Sequence, residues 1–185
     1  MKITSKHYVA LLTLSFISSV CFADFKKGDK IQTLSALHPD SAKQLLYTLN
    51  YQLQGMVIPP CTEVTVTDVS KSKMKFDWNG VEMTVKSEKH TKKAGVSFQQ
   101  ALSNYFGESC DKAKLDSLSK IDKEGIRLGI VKNGMTKDGV LFAMGRPPIH
   151  ANPDLSMPTW TYWINRWKRK LIDFNEDGVV VGTRL

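Results

Sequence analysis

The stretch NGMTKDGVLFAMGRPP, Asn133 to Pro148, sets a turn, a helix start, an apolar face, a helix stop and a Pro-Pro exit in one short run. Asn133-Gly134 is a turn pair. Thr136 suits an N-cap, because its side-chain oxygen can accept from the backbone N–H of Asp138 or Gly139. Asp138 in the first turn suits the positive end of the helix dipole. Val140, Leu141 and Met144 are expected to face a core, with Phe142 and Ala143 flanking. Gly145 permits a left-handed cap, and Pro147 cannot continue the helix. A helix of about two to three turns is not stable alone. It needs a surface to pack on, and the segments after Thr159 are the nearest in the chain. The stretch therefore reads as a scaffold that positions the proline-rich loop behind it.

Downstream, TWTYWINRW places Trp160, Tyr162 and Ile164 on one face of a strand, and Thr161, Trp163 and Asn165 on the other. RKLIDF, the turn NEDG and VVVGTRL follow, which predicts a three-stranded antiparallel meander. Upstream, Ile121, Ile126, Leu128, Ile130 and Val131 predict a second helix over 121–132, although Gly125 and Gly129 weaken it. Residues 108–120 are charged and small, and read as a connection that is partly helical. Residues 63–87 alternate Val64 and Val66, then Met74, Phe76 and Trp78, then Val81, Met83 and Val85. Asn79-Gly80 between the last two sets is a two-residue hairpin signal, so this region predicts a compact meander. Ser97 to Phe106 predicts a helix with Ser97 as N-cap, Gly107 as stop, and Phe98, Leu102, Tyr105 and Phe106 as its apolar face. Residues 24–40 are polar and are expected to be extended or loosely ordered.

The ordered set Gly134-Met135-Thr136, Val140, Gly145, Pro147, Trp160, Tyr162, Phe174 and Gly178 resembles the SmpA/OmlA (BamE-like) family of outer-membrane assembly lipoproteins. The resemblance covers about residues 121–185. It implies two helices packed on a three-stranded antiparallel sheet, and a role in envelope assembly. The family often carries an acidic residue where Gly139 stands and a leucine where Met144 stands. GMVIPPCTEVTV, Gly55 to Val66, is similar to the opening of small SH3-like cell-envelope modules, with Cys61 in place of a glycine. The expected fold class is thus α+β: a β-rich module with one helix over 24–115, then a BamE-like αα-βββ domain over 116–185.

The first 23 residues have the layout of an export signal: Lys2 and Lys6, the apolar run YVALLTLSFI, then small residues before Asp24. Cleavage after Ala23 is expected, with lipidation at Cys21 as the alternative; Val20 stands where lipoprotein signals usually place a small residue. The remainder would carry 24 basic against 18 acidic residues, since Lys2 and Lys6 leave the total of 26, for a net charge of +6. That balance serves solubility or attraction to an anionic surface, and no nucleic-acid-binding motif accompanies it. Cys61 and Cys110 would remain, an even count that favours a disulfide in an exported chain over two free thiols.

Catalytic signatures are missing from the sequence. His38, His90 and His150 are scattered and read as surface or loop histidines, and no HExxH, G-x-S-x-G, Walker or dinucleotide motif occurs. DFNEDG begins like a calcium loop, but its twelfth position is the cation Arg184. A β-turn accounts for the same residues. What stands out is a cluster of aromatics and cations. Trp163, Trp167, Lys168, Arg169 and Lys170 would form a binding surface for protein or anionic lipid, joined by Arg146, Pro147 and Pro148 of the loop. The alternative for Trp163 and Trp167 is a second face covered by a helix or by the other module. The expected function is non-catalytic: an exported envelope binding or assembly factor, periplasmic or outer-membrane-associated, with no metal or cofactor. An envelope enzyme, or an enzyme inhibitor of β-lactamase-inhibitor-like plan, is the alternative.

Overall fold

The computed structural model describes residues 24–52 and 55–185, so the export signal expected over 1–23, with Cys21, lies outside them. The described chain is α+β. Its order is β1 (Lys30–Thr33), β2 (Leu45–Tyr47), β3 (Glu63–Val69), β4 (Lys73–Trp78), β5 (Val81–Lys86), α1 (Lys89–Lys93), α2 (Phe98–Leu102), β6 (Phe106–Gly107), α3 (Lys112–Ser117), α4 (Lys120–Leu128), α5 (Lys137–Met144), β7 (Thr159–Trp163), β8 (Arg169–Phe174) and β9 (Val180–Arg184). The boundary expected at 115/116 falls inside α3. No described helix is long and apolar enough to cross a membrane.

The first sheet runs β2-β5-β4-β3-β1-β6, antiparallel except for the β2–β5 pair. Its middle is the expected meander. Val64, Val66, Met74, Phe76, Met83 and Val85 are buried on one face, as strand alternation requires. Asn79 and Gly80 take φ of 54° and 81°, the mirror-image turn whose twist matches adjoining strands. Of the two alternatives for residues 24–40, the extended one holds over β1, which is hydrogen-bonded between β3 and β6, while Phe25, Ile31 and Leu37 enter the core. These apolar residues are too sparse to show a period, yet each meets the sheet. The helix begun at Ser97 closes as a capping box with Gln100 but ends at Leu102. Phe106 and Gly107 pair with β1 instead of continuing or stopping a helix, since that strand edge supplies backbone partners.

The second sheet is the meander β7-β8-β9, with α4 and α5 packed around one core of Ile126, Val140, Met144, Trp160, Tyr162, Ile172 and Phe174. Phe142 and Ala143 are buried as well, whereas Leu141 is half-buried, so the flanking residues of α5 face inward more than expected. Thr136 caps α5 through the Gly139 N–H at 3.0 Å. Buried Asp122 joins the starts of both helices: Oδ2 accepts from the Ser119 hydroxyl at 2.7 Å, and Oδ1 accepts from the Thr136 N–H at 2.8 Å. A methyl group on Gly139 would overlap that carboxylate, and one on Gly125 would meet Met135 and a backbone carbonyl. Gly125 therefore permits the close helix approach instead of breaking α4. Asp173, the first residue of the calcium-like motif, is held by Arg184 Nε at 2.7 Å and by the Thr159 hydroxyl at 2.8 Å. The Arg184 bonds keep its carboxyl below the usual carboxylate range.

The two sheets meet at the C-terminal end of α5. Helix ends leave carbonyls without partners in the helix itself. Here the Ala36 N–H donates to Phe142 O at 2.7 Å, His38 Nε2 to Ala143 O at 3.0 Å, Asn50 Nδ2 to Met144 O at 3.0 Å, and the Tyr162 hydroxyl to Gly145 O at 2.8 Å. Asn50 also donates to Ala36 O at 2.9 Å and accepts from the His38 N–H at 3.0 Å. His38 is thus not a surface histidine; it is 3 % exposed. Burial lowers its pKa, the Ala143 bond offsets part of this, and Lys170 lowers it further. Cys61 and Cys110 are disulfide-bonded across a separation of 49 residues, which stabilises by about 4 kcal/mol in the chain-entropy model. The bond staples the segment leaving β6 to the turn before β3, where the Cys61 N–H donates to Thr33 O and the Cys110 N–H to Gln32 Oε1.

Candidate functional site

The β7–β8 connection, Ile164 to Lys168, is a tight turn. The Ile164 N–H donates to Lys168 O at 2.9 Å, and Asn165 Oδ1 accepts from the N–H groups of Trp167 and Lys168 at 2.8 and 3.0 Å. With its backbone held in this way, the turn presents Trp167, which is 79 % exposed. The Arg166 guanidinium lies 4.5 Å from the Trp167 ring, and that of Arg169 lies 5.9 Å from the Trp163 ring. Between these residues and His150 runs an open groove of about 580 Å³. No acidic residue occurs between Asp154 and Asp173, while Arg166, Lys168, Arg169 and Lys170 all fall in that interval. The hairpin tip is therefore a cationic field around an exposed indole.

Several residues expected at the surface are elsewhere. Trp163 is 9 % exposed and packs with Leu49 and Tyr51, so the second face of β7 is covered by the N-terminal part of the chain. The alternative reading, a covered face, thus holds for Trp163 and not for Trp167. The Trp163 ring also stands 5.0 Å from that of His150. Lys170 lies opposite Tyr162 in the β7–β8 ladder and is half-buried, which lowers its pKa; its charge acts on His38, away from the tip. Pro147 and Pro148 are buried and Arg146 is exposed, so the loop offers its arginine to solvent while its prolines pack. The loop is held partly by Lys137, whose ammonium donates to Leu155 O at 2.8 Å and to Ser156 O and Met157 O at 3.1 Å, over the rings of Trp160 and Phe174. Buried Asn152 donates to Thr159 O and accepts from the Thr161 N–H, closing the open edge of β7 there.

The site as built is Trp167, Arg166, Lys168 and Arg169, with His150 and Trp163 behind them. Arg166 and His150 did not stand out in the sequence. The signal for Arg166 was its place in the acid-free run beside Trp167; His150 arrives from a loop whose path no local pattern specifies. The arrangement offers cations and aromatic faces, which hold anionic groups by charge, hydrogen bonds and stacking. Among the described residues, no three His, Cys, Asp or Glu side chains gather at metal-binding distance. Comparison of the chain with family profiles, with curated proteins and with solved structures returned no match.

Proposed function

We propose that this chain is a non-catalytic cell-envelope protein that docks an anionic protein partner through the β7–β8 hairpin tip. The observation that carries the reading is Trp167, 79 % exposed and stacked with Arg166 in a field of cations. Aromatic and arginine residues dominate interface hot spots, and an exposed tryptophan on a hydrogen-bonded turn docks with little further loss of freedom. The order of two helices and a three-stranded meander supports a kinship with the SmpA/OmlA (BamE-like) domain, and the disulfide suits export to an oxidising compartment. On this reading the N-terminal sheet is an SH3-like module that buries the back of the second sheet through Leu49 and Tyr51.

The test is site-specific photocrosslinking in envelope fractions. A probe at position 167 should give a discrete protein adduct that is absent with the probe at Lys71, in the β3–β4 turn. Adding Arg166→Ala and Arg169→Ala should abolish it. The same adducts from both positions, or an adduct indifferent to the arginines, would remove the basis for the site.

A further inference from the structure

A second cavity lies at the junction of the two sheets, on the other side of His150, which lines both it and the groove at the hairpin tip. It is a cleft of about 360 Å³, within the range of small-molecule sites. Leu49, Val96, Tyr105, Pro148 and Ile149 give it apolar walls, and Asn104 and Arg146 stand in its lining. No Asp or Glu is among its described lining residues. Arg146 is exposed, and among the described residues neither an ion pair to Arg146 nor a hydrogen bond to the Asn104 side-chain amide occurs. Arg146 and Asn104 also border a neighbouring depression containing Asp138 and Asp111. Both carboxylates there are occupied: Lys114 holds Asp138 at 2.7 Å, and Asp111 caps α3 through the Lys114 N–H at 2.9 Å. The guanidinium is therefore left for a group that enters from outside.

We infer that this cleft binds a small amphipathic carboxylate, with the head group on Arg146 and Asn104 and the apolar tail against Leu49, Val96, Tyr105 and Ile149. A planar guanidinium fork matches a carboxylate in a two-bond pairing, and the amide can add a donor. A phosphate dianion would need more cations than this cleft supplies. At about 30 Å³ for each displaced water, the space holds about a dozen non-hydrogen atoms, the size of a ten-carbon fatty acid. Neither sheet alone forms the site. Leu49, Val96, Asn104 and Tyr105 come from the N-terminal part, and Arg146, Pro148 and Ile149 from the loop after α5.

The experiment is a titration of the isotope-labelled full chain with decanoate, below its micelle concentration, followed by amide NMR shifts. Decanoate should give saturable shifts at Leu49, Val96, Asn104 and Ile149. Decanol, the same tail without the charge, should bind about tenfold more weakly. Arg146→Gln should weaken decanoate by about the same factor and leave decanol unchanged. The proposal is overturned if decanoate and decanol bind equally, if the variant binds decanoate as the original does, or if the shifts fall on the hairpin tip. Should the variant fail to fold, the decanoate–decanol comparison on the unaltered chain decides by itself. The photocrosslinking result at Trp167 does not depend on this cleft, so either site can fail while the other stands.

Discussion

At its N-terminal end α5 is closed by Thr136 and by Asp122, whose partner Thr136 lies 14 positions away. At its C-terminal end it is closed by His38 and Asn50, from 105 and 94 positions away. The first end is completed by groups that arrive with the helix itself. The second is completed by the N-terminal part of the chain, whose backbone and side chains take up carbonyls that would otherwise be buried without partners. One short helix thus belongs locally to the second sheet and serves as the dock for the first. Long-range closure of this kind costs more loop entropy than local capping, and the disulfide across Cys61 and Cys110 offsets part of that cost by shortening the free chain.

The largest effect is expected from Asp122→Ala. It removes a buried carboxylate that accepts from Ser119 and Thr136 and joins both helix starts. The expected loss is about 4 kcal/mol, read by urea unfolding. A loss below about 1 kcal/mol would mean that the local end of α5 stands without this bridge. Asn50→Ala attacks the distant end. It removes the donors to Ala36 O and Met144 O and the acceptor for the His38 N–H, with an expected loss of about 3 kcal/mol. Amide exchange should quicken at Ala36 and His38 before it does along β8. Uniform quickening through both sheets would argue against a separable dock.

A smaller effect is expected from pH. The folded chain holds His38 neutral, with its pKa below the ordinary 6.5, chiefly by burial. The unfolded chain therefore takes up the proton first as pH falls. The stabilisation is complete above 6.5 and is lost as pH drops from there through the lowered folded value. Unfolding curves from about pH 8 to about pH 5 should show this slope, and His38→Gln, which keeps a donor for Ala143 O without titrating, should flatten it. An unchanged slope in that variant would assign the titration to another group. Trp167→Ala should have the smallest effect on stability, within about 0.5 kcal/mol, because its ring is mostly in solvent. Trp163→Ala, at the position that pairs with Arg169 in the β7–β8 ladder, is the counterpart on the buried face and should cost about 3 kcal/mol or more.

The cap of α5 at Thr136, the cap of α2 at Ser97, the Asn79-Gly80 turn and the paired cysteines were all legible along the chain, as was the meander of three strands after Thr159. Each rests on neighbours a few residues apart, or on a residue type with few structural uses. The burial of His38, on its loop, and of Trp163 was not legible, for the converse reason. Nothing beside His38 in sequence reveals that a helix end will need its ring nitrogen, and nothing in TWTYW reveals that Leu49 and Tyr51 will cover its second face. Of the expected binding set, Trp167, Lys168, Arg169 and Arg146 are exposed, while Pro147 and Pro148 are taken up by packing.

By itself, the sequence determined the local elements and the chemistry available to them: which segments turn, which alternate, where a helix begins, and where cations gather without acids. The tertiary structure decided which of those groups remain available to a partner. Burial and pairing of a side chain depend on what the rest of the chain brings against it, and for α5 and β7 that comes from residues about a hundred positions away.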